Sequence, residues 1–214
     1  PRPWPTVQRR FPIYEKSVRV IGYGAFLSSI GLQESDTVSP FLIVKDLKKY
    51  FGATTHLFRA PQPMLRAVDG VSFTIRKGET LGLIGESGCG KSTTARLILR
   101  LIEPTAGDVT FDGTAVFQSS WEEMRQLRRR MQIIFQDPFS SLNPRLMVEE
   151  IVGEGIEIHD LARGGEKRDH IATILEKVGL NADHMSRFPH ELSGGQRQRV
   201  GIARALAVDP EFII

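Results

Sequence analysis

The sequence predicts an α/β fold, and three consecutive features before Pro104 indicate it. Residues 80–84 are an apolar run that we expect to form a strand buried on both faces. Residues 85–93 read GESGCGKST and match the phosphate-loop pattern G-x-x-x-x-G-K-[ST] without a mismatch. Apolar residues then recur at helical spacing, at Ala95, Ile98, Leu99 and Ile102. In a strand–loop–helix arrangement of this kind, backbone amides and a helix N-terminus converge on a phosphate.

The residues of this loop suit a nucleotide. Gly85, Gly88 and Gly90 permit a close backbone approach that a side chain would block. Lys91 supplies an ammonium for the β- and γ-phosphates, and the Ser92 hydroxyl is placed to ligate Mg²⁺. A glycine turn whose lysine points to water is the alternative. The predicted nucleotide-binding residues of the loop are Gly85, Glu86, Ser87, Gly88, Cys89, Gly90, Lys91, Ser92 and Thr93.

Length and composition limit the number of domains and the classes of partner that this chain can have. A chain of 214 residues with 41% hydrophobic content can bury one substantial core and a smaller subdomain. The formal net charge of +3 is too small to indicate nucleic acid as a partner. Cys89 is the one cysteine, so the chain has no intramolecular disulfide and a reducing compartment is expected. No apolar run approaches the roughly 20 residues needed to cross a bilayer.

The remaining elements follow from hydrophobic periodicity and turn residues. We expect residues 1–40 to be a leader outside the domain, disordered in part, because they show no sustained periodicity. The predicted strands elsewhere are residues 41–45, 71–75, 108–113 (an edge strand) and 131–136 (a buried strand). The predicted helices are residues 121–130, residues 146–158, and one that carries Ile171, Ile174, Leu175 and Val178 and ends at Gly179.

Two further motifs lie beyond the loop. Gln136 follows the apolar run 133–135, and at the carboxyl end of a strand it could ligate Mg²⁺ or position a water. Taken alone, it could equally be an ordinary strand-ending polar residue. Ser193 is suited to cap a following helix, whose first residues Gly194, Gly195 and Gln196 expose amides at its positive end. This motif predicts a second anion site, with a ligand-free glycine-containing cap as the alternative.

The three motifs occur in the order found in one family. GESGCGKST, then FQDP, then LSGGQRQRVGIARAL resembles the nucleotide-binding subunits of ABC transporters over roughly residues 41–214. Finer matches resemble the subfamily that energises oligopeptide and dipeptide import: LKKYF at 47–51, AVDGVSF at 67–73, RRRMQIIFQDPFSSLNPR at 128–145 and RFPHE at 187–191.

The resemblance implies a domain organisation and roles for single residues. It implies a P-loop, RecA-like core at residues 41–137, a helical subdomain at 138–205, and the start of the Walker B strand at 206–214. Gln136 would link the two parts and sense the γ-phosphate, acting with Lys91 in catalysis. Phe51, with Tyr50 beside it, would stack on adenine, although core packing at a strand end is the alternative for both.

The resemblance also implies ATP and Mg²⁺ as ligands and a set of protein partners. Two ATPase subunits, identical or only similar, would pack head to tail, so that each ATP lies between one phosphate loop and the partner's signature motif. Hydrolysis would then loosen the dimer. Membrane-spanning permease subunits would contact the groove near Gln136 and residues 139–147. The chain itself would be peripheral, on the cytoplasmic face of the plasma (inner) membrane.

One departure from the family pattern concerns residues 211–214, where the sequence stops at the start of an apolar strand. In the family an Asp that holds Mg²⁺ and a Glu that polarises the attacking water follow directly. The resemblance therefore implies that the 214-residue piece has an incomplete sheet, binds nucleotide weakly and does not turn over, whereas the parent protein is an ATPase.

Other classes of protein remain as alternatives. An ABC-type ATPase of DNA repair or chromosome maintenance is disfavoured by the compact interval between Lys91 and Ser193, which lacks heptads and zinc-type cysteines. A phosphate-loop kinase explains neither Gln136 nor the LSGGQ motif. A non-hydrolysing nucleotide-binding fragment, with a regulatory or decoy role, is the third alternative.

Overall fold

The structure, a computed structural model, describes residues 19–22, 39–52, 64–137 and 141–214. It forms two compact units, of which the first extends to Ser120 and the second runs from Trp121 to Ile214. This division falls before the predicted boundary at residue 137, because backbone contacts join the segment that starts at Trp121 to the end of the chain. The assignment of a RecA-like core and a helical subdomain stays a prediction.

The first unit contains strands β1 (Arg19–Gly22), β2 (Leu42–Phe51), β3 (Leu65–Ile75), β4 (Leu81–Ile84), β5 (Ala106–Phe111) and β6 (Thr114–Ala115), with helix α1 (Lys91–Ile98). Strands β3, β2, β5 and β6 form one antiparallel sheet in that order. The edge-strand prediction for 108–113 was therefore wrong. Asp112 and Gly113 have φ values of 47° and 80°, and this tight turn folds β6 back onto β5.

The core of this unit lies along β2. Leu42, Val44 and Leu47 are buried, although strict alternation would place Leu47 on the opposite face from Val44. A register shift between Val44 and Leu47 corrects this, with Asp46 in the left-handed region at φ 47°. The bulge is fixed by the Asp46 amide, which donates to Ser72 Oγ at 2.8 Å.

Strand β4 leads into the phosphate loop and pairs antiparallel with β1. Part of the predicted leader, residues 19–22, therefore forms a strand, while 1–18 and 23–38 lie outside the described residues. The expectation that β4 is buried on both faces was wrong, because Ile84 is 52% exposed and Gly82 is exposed as well. A short apolar run does not by itself distinguish a covered strand from a half-exposed one.

The second unit contains helices α2 (Trp121–Arg130), α3 (Val148–Ile158), α4 (Gly164–Lys177) and α5 (Gly194–Leu206), and strands β7 (Met131–Gln132) and β8 (Phe212–Ile213). Helices α3, α4 and α5 share one core, formed by Val148, Ile151, Val152, Ile156, Ile171, Leu175, Val200 and Ala203. The predicted strand 131–136 shortens to β7, which pairs in parallel with β8. In the part of the chain that the structure describes, no helix combines the length and the apolar character that crossing a membrane requires.

Candidate functional site

The phosphate loop is positioned by close contact between Gly90 and strand β3. Gly90 precedes α1 and has a φ of 99°, a conformation that side chains disfavour. A Cβ atom at this position would lie 2.3 Å from the carbonyl oxygen of Ala67. The loop therefore requires glycine here for two independent reasons, dihedral angle and space.

The Lys91 ammonium lies over the loop. Its Nζ donates to the carbonyl oxygens of Gly85 at 2.6 Å and Glu86 at 2.8 Å, and lies 3.4 Å from Cys89 Sγ. These carbonyls hold a cation at the mouth of the loop, close to the N-terminus of α1. Both the ammonium and the helix N-terminus favour an anion at this place.

The loop is open on its outer side. Glu86, Ser87, Gly88 and Ser92 are exposed. The inner side is fixed, because the Thr94 amide and hydroxyl both donate to the Gly90 carbonyl, at 2.8 and 3.0 Å. The sequence-predicted loop residues are thus brought together in one accessible turn whose base is rigid.

Tyr50 and Phe51, the predicted adenine-stacking residues, differ in their surroundings. The Tyr50 hydroxyl donates to Asp69 Oδ1, and this hydrogen bond raises the pKa of the phenol above its ordinary value. Arg66 also lies over the Tyr50 ring, 5.5 Å from its centroid. Phe51 is 42% exposed, with Lys49 Nζ 5.0 Å from its centroid. Of the two rings, Phe51 is the more exposed.

The second motif forms a reciprocal capping box at the start of α5. Ser193 Oγ accepts from the Gln196 amide at 3.3 Å, and the Gln196 side-chain oxygen accepts from the Ser193 amide at 2.9 Å. Gly194 and Gly195 are exposed and face open space. The serine hydroxyl proton and the first helical amides are therefore presented at the positive end of a helix.

Gln196 was predicted to belong to the anion site, and this stays a prediction. In the structure, its side chain forms contacts with Ser193 and His184. Its Nε2 lies 3.2 Å from Nε2 of His184, which is only 8% exposed. His184 lies 12 positions earlier in the chain and carries no motif. Sequence reasoning missed it for that reason.

The predicted magnesium ligands lie in different units. Ser92 is exposed in the first turn of α1, and Gln136 is exposed after β7. Both offer neutral oxygen atoms, which suit Mg²⁺ when phosphate oxygens complete its coordination. Within the described ranges, no group of three or more His, Cys, Asp or Glu residues could hold a metal by itself.

Comparisons with known proteins agree with this geometry. A family profile described as ABC transporter matches residues 68–214. "Oligopeptide transport ATP-binding protein OppF" of Bacillus subtilis (strain 168) is 54% identical over 175 residues, covering 81% of this chain and 55% of that protein. "Probable peptide ABC transporter ATP-binding protein y4tS" of Sinorhizobium fredii is 49% identical over 173 residues, covering 81% of this chain and 49% of that protein.

Two solved structures are also similar to this chain. The dimeric post-hydrolysis state of the ATP-binding cassette MJ0796 bound to ADP and Pi matches with a TM-score of 0.66 at 29% identity. The match covers 80% of this chain and 72% of that chain. CbiO1 of Clostridium perfringens, part of the ABC transporter complex cbiONQ, matches with a TM-score of 0.62 at 25% identity, covering 81% of this chain and 64% of that one.

The phosphate loop, the helix that follows it and these similarities define a P-loop nucleoside triphosphatase fold, which confirms the predicted fold class. The chain belongs to the ABC transporter family. It spans about half the length of the curated relatives that it matches.

Proposed function

We propose that this protein is the ATP-binding subunit of an ABC transporter and that it couples ATP binding and hydrolysis to the import of peptides. One observation supports the proposal: the chain places a helix N-terminus after the phosphate loop and a second one after Ser193, and helix N-termini favour anions. The names of its relatives, which are oligopeptide and peptide transport ATP-binding proteins, support peptides as the solute. The proposal concerns the whole protein, of which this chain supplies these two sites.

In the proposed site, the loop amides and Lys91 hold the triphosphate. The Lys91 ammonium would exchange the Gly85 and Glu86 carbonyls for β- and γ-phosphate oxygens, which are stronger acceptors because they are charged. The Phe51 ring would stack on the adenine. Glu86, Ser87, Gly88, Cys89, Gly90 and Thr93 would contribute through the backbone of the loop.

Ser92 and Gln136 would hold Mg²⁺ together with phosphate oxygens. When bound, the ion would neutralise charge that develops during phosphoryl transfer. Gln136 would also orient the γ-phosphate side of the site. Positioning and charge stabilisation are most of this chemistry, and the protein side chains supply the positioning.

Ser193 would act on a nucleotide held by another subunit. The MJ0796 structure is a dimer of an ATP-binding cassette with ADP and Pi, which supports a dimer here. We propose a head-to-tail arrangement in which the Ser193 hydroxyl and the Gly194 and Gly195 amides face the γ-phosphate bound to the partner. The partner is either a second copy or a similar ATPase subunit.

The membrane-spanning part of the transporter would be formed by separate permease subunits. We propose that they contact the segment near Gln136 and that the protein is peripheral on the cytoplasmic face of the membrane. The names of the relatives favour this transport role over DNA repair or chromosome maintenance.

Peptide uptake tests the proposal. In cells that take up a labelled oligopeptide through this transporter, Lys91→Ala in the full-length protein should abolish uptake, because the triphosphate loses its cation. The matched control is Lys45→Ala, which removes the same charge from an exposed position on β2 and should leave uptake at the native level. Native uptake by the Lys91→Ala variant would contradict the proposed function.

A further inference from the structure

The side chain of His184 is a buried polar group that has no role in the function proposed above. It lies in the 3-10 turn Ala182–Ser186 and is 8% exposed. Its Nδ1 accepts from the Asn181 amide at 3.2 Å and also lies 3.0 Å from the Asn181 carbonyl oxygen. Its Nε2 is 3.2 Å from Nε2 of Gln196.

The contacts of Gln196 require one tautomer of His184, and the hydrogen bond from the Asn181 amide requires the other. The Gln196 side-chain oxygen accepts from the Ser193 amide, so its Nε2 faces His184 as a donor. His184 Nε2 must then carry the lone pair. A neutral imidazole has one N–H, so the contact with Gln196 places the proton on Nδ1, which donates to the Asn181 carbonyl at 3.0 Å instead of accepting from the Asn181 amide at 3.2 Å.

These hydrogen bonds connect a buried ring to the signature serine. His184 holds the Gln196 amide group, Gln196 holds the Ser193 amide, and the Gln196 amide in turn donates to Ser193 Oγ. The rotation of the Gln196 side chain is thereby restricted at both ends. The direction of the Ser193 hydroxyl and of the exposed Gly194 amide depends on that restriction.

We propose that His184 is a positioning residue for the signature motif, acting through Gln196 on Ser193. The inference rests on the proposed function, in which Ser193 contacts the partner's nucleotide. His184 itself touches no substrate in this account. Its contribution is to hold the capping box in the geometry that a γ-phosphate requires, since misplaced catalytic groups lose rate steeply.

The tautomer provides a direct test that needs no variant. Long-range ¹H–¹⁵N correlation spectra of the full-length protein at neutral pH should show His184 in the Nδ1–H form. Free histidine favours the other tautomer, so this result is specific to the network. Observation of the Nε2–H form, or of rapid exchange between the two forms, would overturn the proposal.

The functional test compares two substitutions of the same residue. His184→Leu removes the acceptor and should lower kcat for ATP in the assembled transporter by roughly three- to tenfold, the effect of one lost hydrogen bond. His184→Gln places an amide oxygen near the former Nε2 and should restore kcat to within about twofold of native. The matched control is His190→Leu, in an exposed histidine of the same segment that stacks on Phe188 at 5.6 Å, and it should leave kcat unchanged.

A measurement of MgATP binding distinguishes failure of the positioning role of His184 from failure of the proposed function. Binding to the phosphate loop, measured on the full-length protein, should be the same for His184→Leu and the native protein, because His184 acts on the other motif. Native kcat for His184→Leu, or an equal loss for His184→Gln and His184→Leu in folded proteins, would overturn the positioning role alone. If neither variant folds, the tautomer of the native protein decides. Absence of MgATP binding to the native protein would instead contradict the proposed function.

Discussion

At the scale of single residues, Gly90 shows how a local motif depends on a distant contact. The phosphate-loop pattern requires glycine at this position, and the physical reason is the Ala67 carbonyl oxygen, which would lie 2.3 Å from any Cβ atom there. Ala67 lies on β3, far from the loop in sequence. The motif therefore predicted a close backbone approach at Gly90, while its partner, the Ala67 carbonyl, could be found only in the fold.

Gly90→Ala should destabilise the protein more than an equivalent change without the steric contact. We expect a loss of about 3 kcal/mol or more in the free energy of unfolding, from the positive φ and the overlap with the Ala67 oxygen together. The matched control is Gly113→Ala, where φ is 80° but the added Cβ meets open space, with an expected loss of about 1–2 kcal/mol. Equal losses in denaturant titrations would contradict the role of Ala67.

Other residues also differ in whether the sequence motifs or only the folded structure reveals their contacts. Lys91, Ser92 and Ser193 were predicted as binding residues from the sequence motifs alone, because each motif is contiguous in the chain. His184 was missed, since its contact with Gln196 is created by tertiary packing. Tyr50 and Phe51 are neighbours in sequence, and only the structure shows that the first is engaged by Asp69.

At the scale of elements, the capping box of α5 performs two tasks. It satisfies amides at the helix N-terminus, and it presents the Ser193 hydroxyl on the exposed side. Substitutions that cap helices equally well can therefore separate stability from function. Asn and Asp are both good N-caps, and they differ by one negative charge.

Ser193→Asn and Ser193→Asp should keep the free energy of unfolding within about 0.5 kcal/mol of each other, because both cap α5. ATP turnover in the assembled transporter should differ widely. Repulsion between a carboxylate and the γ-phosphate costs several kcal/mol at contact distance, so we expect Ser193→Asp to be slower by about a hundredfold than Ser193→Asn. Similar turnover of the two variants would show that Ser193 does not face the nucleotide.

His159 is the C-cap residue of α3, and the Arg125 guanidinium of α2 donates to the neighbouring Ile158 carbonyl. Burial lowers the pKa of His159 below its ordinary value of 6.5, and the positive charges of Arg125 and Arg129 lower it further. The unfolded chain therefore binds the proton more tightly than the folded chain does.

The sign of the pH dependence follows from that difference. The stabilising contribution of neutral His159 is present above pH 6.5 and is lost as the pH falls below 6.5. His159→Gln should make the free energy of unfolding less dependent on pH in this range, and Arg129→Gln should do so by a smaller amount. Denaturant titrations between neutral and mildly acidic pH measure both slopes. An unchanged slope for His159→Gln would contradict this account.

The prediction of elements from sequence succeeded where periodicity was long. Helix α2 has the predicted bounds, and α3 begins at Val148 instead of residue 146. The helix predicted to carry Ile171 and Ile174 and to end at Gly179 is α4, which ends at Lys177. The short strands were less predictable. β5 becomes interior because the turn at Asp112 and Gly113 adds β6, and β4 is more exposed than its apolar sequence indicated.

At the scale of the whole molecule, the two motifs that we propose to bind anions lie in separate compact units. The phosphate loop belongs to the first unit, and the capped helix α5 belongs to the second. In the proposed mechanism they serve different nucleotides, so that each ATP is shared between two subunits. Membership of the ABC transporter family agrees with the proposal that the two motifs bind different nucleotides.

The central claim is that the loop around Gly90 and Lys91 binds the triphosphate of ATP, and calorimetric titration of MgATP into the full-length protein tests it most directly. Binding of the triphosphate by this loop predicts saturable MgATP binding by the native protein and by the exposed-lysine control Lys45→Ala. It predicts binding at least about tenfold weaker for Lys91→Ala, which loses a charged hydrogen-bond donor. No heat of binding with the native protein, or equal affinity in the Lys91→Ala variant, would contradict the account.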